Sequence, residues 1–579
     1  MKNKGINRAQ PRVLIIGEDT RSFLTTIRSL GGAGYEVHVI CYDRNSPARY
    51  SRYIKTAKFY NYQAYTQDGW QDAVFKLIER YQFDVIIPCD ERAIYPLWVE
   101  KQRLPEHTRL AVANDEALDI LFDKWKTKTL AISCDIPVAE GRLINLKTVT
   151  YDEIASQFGA IFVIKPLQSF DHKQLNSRQN VTIVRQSADF DDGKFGDGII
   201  MVERYFSGVG EGVSIFAVDG EIKAVFSHRR DNESNGGGSS YRYSITTDPE
   251  QLAAVKRICK KVRYTGIAMF EFRRNLQSNA WILVEVNARL WGSLPLALFC
   301  GIDFPKYYVD YLVTQECPKE IYHHYPVNHY ARALTADLYD IRRERLVSGG
   351  WRRIIRRLIQ YRRIISGREV IDSFSRSDFK PFLHEVMLIM GQFVVAISKK
   401  IPVLFRVRSL ITRYRLKTLM KDNPNRRFIF ICYGNIMRSP FAEQVLRNQL
   451  YDKSQKMITE SYGFHAPENR ESPASAREAA QQLNYSLEQH RSRCLRQSDL
   501  CNSDILFFFD KRNKSGLASY YNAKNAFFIN DLLPVNKAMK YEVTDPYGLD
   551  VEGVKLCYEE IEMSVQQLIH YCEDSLYGR

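Results

Sequence analysis

The stretch Phe428-Ile429-Phe430-Ile431-Cys432-Tyr433-Gly434-Asn435-Ile436-Met437-Arg438-Ser439-Pro440 decides the fold of the C-terminal part of this 579-residue chain. Its four leading apolar residues read as a buried strand, and a short loop then carries the chain from a thiol to a guanidinium. A cysteine, five residues, an arginine and a hydroxyl at a strand-to-helix turn form a cradle in which backbone N–H groups and the helix N-terminus converge on an anion. The same field favours the thiolate, which is the nucleophilic form of cysteine. Cys432 is therefore read as a nucleophile toward phosphorus. Arg438 is read as the planar fork that grips two equatorial oxygens more strongly as charge develops, and Ser439 as the donor of a hydrogen bond to the departing sulfur.

Further along, Ser461-Tyr462-Gly463-Phe464, His490-Arg491-Ser492-Arg493 and Asp545-Pro546-Tyr547 follow in order. Together with the loop they resemble the low-molecular-weight protein-tyrosine phosphatases, over roughly residues 425–579. The resemblance implies that Asp545 is the proton donor to the leaving group of a phosphotyrosine or another phosphomonoester. One position departs from the family, which often has a second cysteine inside the loop where this chain has Met437, so no loop disulfide is expected. Singly these residues have ordinary readings: a cysteine at a strand end is usually core, and Asp-Pro is usually a turn. Their ordered set carries the reading. Arsenate reductase chemistry, as the resemblance implies, needs a relay cysteine just after Asp504-Ile505-Leu506-Phe507-Phe508-Phe509-Asp510, whereas Cys494 and Cys501 both precede that strand.

The opening of the chain alternates strand and helix patterns, with Val13-Leu14-Ile15-Ile16-Gly17, Glu36-Val37-His38-Val39-Ile40 and Asp84-Val85-Ile86-Ile87-Pro88 as strands. A doubly wound α/β unit is expected over residues 1–110. Gly31-Gly32-Ala33-Gly34 lies after the first helix rather than between strand and helix, which argues against a nicotinamide site. Then come Asp123-Lys124-Trp125, Phe162-Val163-Ile164-Lys165-Pro166, Met201-Val202-Glu203-Arg204-Tyr205-Phe206, Ala268-Met269-Phe270-Glu271-Phe272 and Leu283-Val284-Glu285-Val286-Asn287-Ala288-Arg289. Over about residues 12–315 this order resembles the ATP-grasp superfamily, whose members mostly join a carboxylate to an amine or similar nucleophile through an acyl phosphate.

The resemblance implies that Lys124 and Lys165 address ATP phosphates as point charges, that Glu203 marks the hinge strand at adenine, and that Glu211 is a ribose-side or metal-side carboxylate. Glu285 and Asn287, two apart on a strand, share a face, and Glu271 on a neighbouring strand can join them. Carboxylate and amide oxygens suit Mg²⁺, which takes its other ligands from water and phosphates. Arg289 would face the same cavity and stabilise a transferring phosphoryl group. Arg229, Arg230 and the loop Asn235-Gly236-Gly237-Gly238-Ser239 are placed beside the acceptor. Where relatives carry a glycine-rich lid, the segment Pro166 to Lys173 has no glycine and offers Ser169, His172 and Lys173. The ordinary fate of each acidic residue is a salt bridge or a solvated surface.

Eleven cysteines without metal-type spacing, and a start (Met1-Lys2-Asn3-Lys4-Gly5) with no apolar signal region, lead to the expectation of a reducing cytoplasm. The formal charge of +15 is concentrated: residues 341–420 hold 19 Lys and Arg against 5 Asp and Glu. Paired arginines alternate there with apolar pairs, as in Trp351-Arg352-Arg353-Ile354-Ile355-Arg356-Arg357-Leu358. Two readings compete, an interfacial element on an anionic membrane surface and an inter-domain helical linker packed on a neighbour. The apolar run Val386 to Ile397 is too short to cross a bilayer core of about 30 Å. Nucleic acid is not expected as a partner, since no recognition module accompanies the charge.

The expected architecture is thus multidomain α/β. It comprises a pre-ATP-grasp doubly wound domain (1–110), an ATP-grasp α+β domain (111–330), a basic helical connector (331–421) and a phosphatase-type doubly wound parallel sheet (422–579). The expected cofactors are ATP and Mg²⁺. The expected partners are carboxylate and amine substrates, and a phosphotyrosine protein or small phosphomonoester. The rival expectation is a membrane-docked tyrosine phosphatase whose ATP-grasp half only binds or senses nucleotide.

Overall fold

The computed structural model describes residues 10–577, apart from 61–66, 172–173, 191–198, 234–238, 320–323, 345–349, 399–401, 423–426, 452–457, 466–467, 502, 521–524 and 534–541. The chain divides into two compact units, Met1–Met387 and Leu388–Arg579.

The first unit opens with five parallel strands, β1 (Arg12–Gly17), β2 (Glu36–Cys41), β3 (Ile54–Phe59), β4 (Val85–Pro88) and β5 (Arg109–Leu110), in the order β3-β2-β1-β4-β5. Val13 to Ile16 are fully buried, as a central parallel strand covered on both faces requires. The strand order reverses between β1 and β4, so a crevice is expected at their carboxyl ends, where Asp90 and Glu91 begin the next helix. An antiparallel sheet β10-β7-β11-β6 follows, built from β6 (Gly141–Asn145), β7 (Phe162–Lys165), β10 (Thr182–Val184) and β11 (Ile199–Arg204). The small ribbon β8 (Phe170–Asp171) and β9 (Gln174–Arg178) stands beside it in sequence.

A seven-stranded sheet completes the unit. Its members are β12 (Val209–Val218), β13 (Glu221–Glu233), β14 (Ser239–Ile245), β15 (Gly266–Arg274), β16 (Trp281–Asn287), β17 (Tyr330–Arg332) and β18 (Glu369–Ile371), in the order β16-β15-β12-β13-β14-β17-β18. The last two strands bracket the start of the basic segment, and buried ion pairs hold them. Arg332 is wholly buried, ion-paired to Asp337 and Glu369 at 2.6 Å each, with its guanidinium 4.0 Å and 4.1 Å from the ring centres of Tyr241 and Tyr361. Arg28 binds Asp378 at 2.9 Å, and Arg242 binds Asp372 at 2.6 Å. β17, β18 and the segment carrying Asp372 and Asp378 are thereby pinned to the sheet and to the first parallel layer.

In the second unit four parallel strands, β19 (Phe428–Ile431), β20 (Thr459–Tyr462), β21 (Ile505–Phe508) and β22 (Ala526–Phe528), lie in the order β20-β19-β21-β22. The helix Pro402–Asp422 packs Leu416 and Met420 into this core. Three of its arginines turn the same way: Arg408 pairs with Asp531 at 3.0 Å, Arg413 donates to the Leu532 and Leu533 carbonyls, and Arg415 lies over the Phe527 ring. The segment 331–421 is accordingly shared out, its residues to 387 with the first unit and its last helix with the second. No helix among the described residues is long and apolar enough to cross a membrane.

Candidate active sites

The phosphate loop is assembled around one asparagine. Asn435 is completely buried and adopts a left-handed backbone (φ 51°) that brings its N–H to 3.1 Å from Cys432 Sγ. Its side-chain amide donates to Ser439 Oγ at 3.0 Å and Ser461 Oγ at 2.9 Å, and its side-chain oxygen accepts the Arg493 N–H at 2.7 Å. His490 Nε2 lies 2.7 Å from the Asn435 carbonyl, so this nitrogen carries the proton. Ser439, at the start of the helix Arg438–Tyr451, is thereby turned to donate to Cys432 Sγ at 3.0 Å. Gly463 closes the back of the loop: a Cβ there would stand 2.8 Å from the Asn435 nitrogen and 2.9 Å from the Gly434 carbonyl carbon.

Arg438 is 2% exposed, and its Nη1 donates to Asp510 at 2.6 Å and to the Val543 carbonyl at 3.1 Å. Its Nη2 meets Asp545 at 3.0 Å. Burial opposes the guanidinium charge, but Cys432, Asp545 and Asp510 outweigh it and hold the Arg438 pKa above its ordinary value. The sequence reading therefore finds its four residues, Cys432, Arg438, Ser439 and Asp545, at one place. Asn435 and Asp510, which position Cys432 and Arg438, were passed over: Asn435 lies inside the quoted loop, and Asp510 ends the quoted strand.

In the first unit a cleft is lined by Glu91, Lys124, Thr127, Ser169, Glu285 and Asn287 among others. Lys124 opens the helix Lys124–Ser133, and its ammonium reaches the Pro166 carbonyl at 3.2 Å and Ser169 at 3.5 Å. Glu271 and Glu285 are directly paired across β15 and β16, so both carboxylates leave the same face, and Asn287 donates to Glu285 at 3.1 Å. Burial and the neighbouring Glu285 charge raise the Glu271 pKa, although Arg230 at 2.6 Å works against them. Burial also opposes ionisation of Glu285, but Lys124 and Lys165 pull its pKa below the ordinary value. A buried carboxylate and a half-buried one on the same sheet face, with an amide side chain beside them, form a donor set that a hard divalent cation satisfies. Among the described residues no group of three or more His, Cys, Asp and Glu has metal-site geometry. The fit thus rests on two carboxylates and one amide.

Arg289 binds Glu91 at 2.9 Å, which draws it to the rim where the first parallel sheet meets the cleft. Glu203 is buried between two lysines, Lys128 at 2.6 Å and Lys165 at 2.5 Å. Burial opposes its charge, and the two ammonium groups overcome this and lower its pKa. Lys128 and Glu91 escaped the sequence reading. The available signal for Lys128 was its i+4 spacing from Lys124 on one helix face.

Glu211 is not brought to this cleft. It pairs with Phe272 whereas Gly212 pairs with Glu271, so Glu211 and Glu271 leave opposite faces of the sheet. There it is held by Arg229 at 2.6 Å, Arg274 at 2.9 Å and Gln251 at 2.8 Å. Arg229 goes with it, and only Arg230 of the two adjacent arginines joins the Glu271 face. Residues 235–238 of the expected acceptor loop, and His172 and Lys173 of the expected lid, lie outside the described residues.

A buried cysteine under an arginine in a strand-to-helix loop defines the cysteine-dependent phosphomonoesterases, and a lysine-lined and carboxylate-lined cleft on an antiparallel sheet suits nucleotide-dependent ligation. Comparison with known proteins is more particular. Residues 427–576 match the family model of the low molecular weight phosphotyrosine protein phosphatases, and residues 198–333 match the model described as ATP-grasp in the biosynthetic pathway with Ter operon. The Probable low molecular weight protein-tyrosine-phosphatase EpsP of Ralstonia nicotianae is 25% identical over 137 residues, 24% of this chain and 89% of that protein. Among solved structures, biotin carboxylase of Campylobacter jejuni aligns with TM-score 0.45 and 16% identity over 55% of this chain and 74% of that one. An L-amino acid ligase of Bacillus licheniformis aligns with TM-score 0.43 and 14% identity over 56% and 79%. The chain joins an ATP-grasp domain to a low-molecular-weight phosphatase domain, and both are enzyme domains.

Proposed function

We propose that this protein is bifunctional, an ATP-dependent ligase of the carboxylate–amine type fused to a cysteine phosphatase of phosphotyrosine or a similar phosphomonoester. The observation that supports it most is the convergence on Cys432 Sγ of the Asn435 N–H and the Ser439 O–H, beneath an Arg438 that also reaches Asp545. In this reading the Cys432 thiolate attacks phosphorus and the P–O bond to the leaving group breaks. Asp545 gives its proton to that oxygen. Water then displaces the sulfur, returning a proton to Asp545, and Ser439 stabilises the thiolate that departs. Arg438, fixed by Asp510, holds the equatorial oxygens throughout.

In the ligase half Glu271, Glu285 and Asn287 would hold Mg²⁺, which supplies charge neutralisation at the triphosphate. Lys124 and Lys165 would bind phosphate oxygens, Glu203 keeps Lys165 in place, and Arg289 would stabilise the charge that develops on the γ-phosphoryl group. The carboxylate and amine are the small-molecule partners of this site.

The test is one purified protein in two assays. Aryl phosphate hydrolysis should vanish in Cys432→Ser. ADP should be released on mixing with a panel of amino acids and carboxylates. Saturable Mg-ATP binding without ADP release for any of them would leave the first unit a nucleotide-binding module.

A further inference from the structure

The mouth of the phosphate loop carries a charge that the catalytic reading does not use. Tyr433 follows Cys432, and its carbonyl is fixed by the N–H groups of Phe464 at 2.8 Å and His465 at 3.1 Å. Its ring stacks with His465 at 5.6 Å between centres. Over it lies the guanidinium of Arg512, 3.5 Å from the ring centre. Arg512 comes from the helix Lys511–Tyr520, two residues after the Asp510 that holds Arg438. Arg470 closes the other side by donating to the Gly434 and His465 carbonyls at 2.6 Å and 3.2 Å. Burial lowers the His465 pKa, and Arg470 and Arg512 lower it further, so the imidazole is a neutral spacer between two cations.

Arg491 and Arg496 differ from Arg512. Arg491 pairs with Glu471 at 2.8 Å and Arg496 with Glu468 at 3.1 Å, so their charges are compensated. Arg512 makes no ion pair among the described residues and is exposed. An aromatic face holds it in one orientation without neutralising it, which leaves a pre-positioned positive charge beside the phosphate cradle.

We propose that Tyr433 and Arg512 form a second anion subsite that reads a carboxylate next to the phosphorylated residue, so that the preferred substrate is an acidic phosphotyrosine segment of a protein. The inference rests on the phosphatase reading above and goes beyond it. A phosphate in the cradle leaves the groups flanking the phosphotyrosine at the rim, within reach of an exposed guanidinium. A neutral or basic flank finds no such partner.

The experiment compares kcat/KM of the full-length protein on phosphotyrosine peptides that differ only in flanking Asp against Asn, with p-nitrophenyl phosphate run in parallel. The acidic peptide should be favoured by about two- to fivefold at low salt, the size of a solvent-exposed ion pair, and the ratio should shrink as salt rises. In Arg512→Gln the ratio should fall to about one, and in Arg512→Lys part of it should remain. Because the readout is a ratio, a general loss of activity cancels. No acid preference in the unaltered protein, or an unchanged ratio in Arg512→Gln, would overturn the subsite. A gain confined to an aryl phosphate bearing its own carboxylate would overturn the protein substrate. Absence of Cys432-dependent hydrolysis of p-nitrophenyl phosphate would fail the phosphatase reading, and the subsite with it, and is told apart by that parallel assay.

Discussion

Replacing Asn435 tests whether one side chain organises the phosphate loop. In Asn435→Ala three contacts go at once, those to Ser439, Ser461 and the Arg493 N–H. Ser461 keeps its hydrogen bond to Glu443, whereas the half-buried Arg493 amide loses its partner, at a cost of about 1–3 kcal/mol. Alanine must also hold the left-handed φ of 51°, a strain of about 1–2 kcal/mol. Some relaxation toward water is open at the rim, so the expected loss is about 2–4 kcal/mol, or a fall of roughly 5–15 °C in Tm for a unit of this size. Asn435→Gly removes the same bonds but not the need for the unusual φ, and should recover about 1 kcal/mol relative to alanine. All six tryptophans precede residue 388, so their fluorescence reports the first unit, while residual phosphatase activity after heating reports the second. Both variants should also lose kcat by about ten- to a hundredfold with little change in KM, because Ser439 is no longer aimed at the sulfur. Equal stability of the alanine and glycine variants would refute the strain argument, and an unchanged kcat would refute the positioning role.

Cys432→Ser should abolish turnover yet keep vanadate or phosphate binding, since backbone groups and Arg438 make the cradle; loss of binding measured by calorimetry would count against that. Asp545→Asn should slow poor leaving groups far more than p-nitrophenolate, and equal losses across an aryl phosphate series would remove Asp545 as the acid. Glu271, with its pKa raised, binds its proton more tightly in the folded state, so it contributes stability at low pH that is lost as pH rises through its folded pKa. Mg²⁺ should displace that proton, so the stabilisation it gives in thermal melts should grow as pH climbs above the ordinary carboxylate range and should disappear in Glu285→Ala. Lys128→Met leaves Lys165 as the sole ion-pair partner of Glu203 among the described residues, and ATP affinity should fall by about tenfold, some 1.4 kcal/mol, with adenosine affinity preserved.

What could be read from sequence was local or periodic. The loop from Cys432 to Ser439 is contiguous, so its chemistry shows in one line of text. Glu285 and Asn287 share a face through the two-residue period of a strand, and Glu271 joins them because its strand pairs in register. Glu211 shows the limit: its side chain points away from Glu271 because β12 pairs Gly212, not Glu211, with that carboxylate. Such a register depends on the whole ladder. The strands Tyr330–Arg332 and Glu369–Ile371 are three residues each, too short for an alternating pattern, and separate helices intervene between them. Arg332, wholly buried in the first of these strands, stands just ahead of the basic stretch, and no local pattern marks it as a core residue.

That late pair of strands also determines where the polypeptide tolerates being cut. β14 is covered by β17, and β17 by β18. A fragment ended near residue 320 would bare the backbone donors and acceptors of β14 along an open margin rich in tyrosine, a template for sticking to other copies. It would also strand Arg242 without Asp372 and Tyr241 without Glu369. Soluble expression of the ligase half alone therefore calls for a boundary past residue 385, and insolubility of shorter pieces would be a symptom of a missing margin rather than of a misfolded nucleotide cleft.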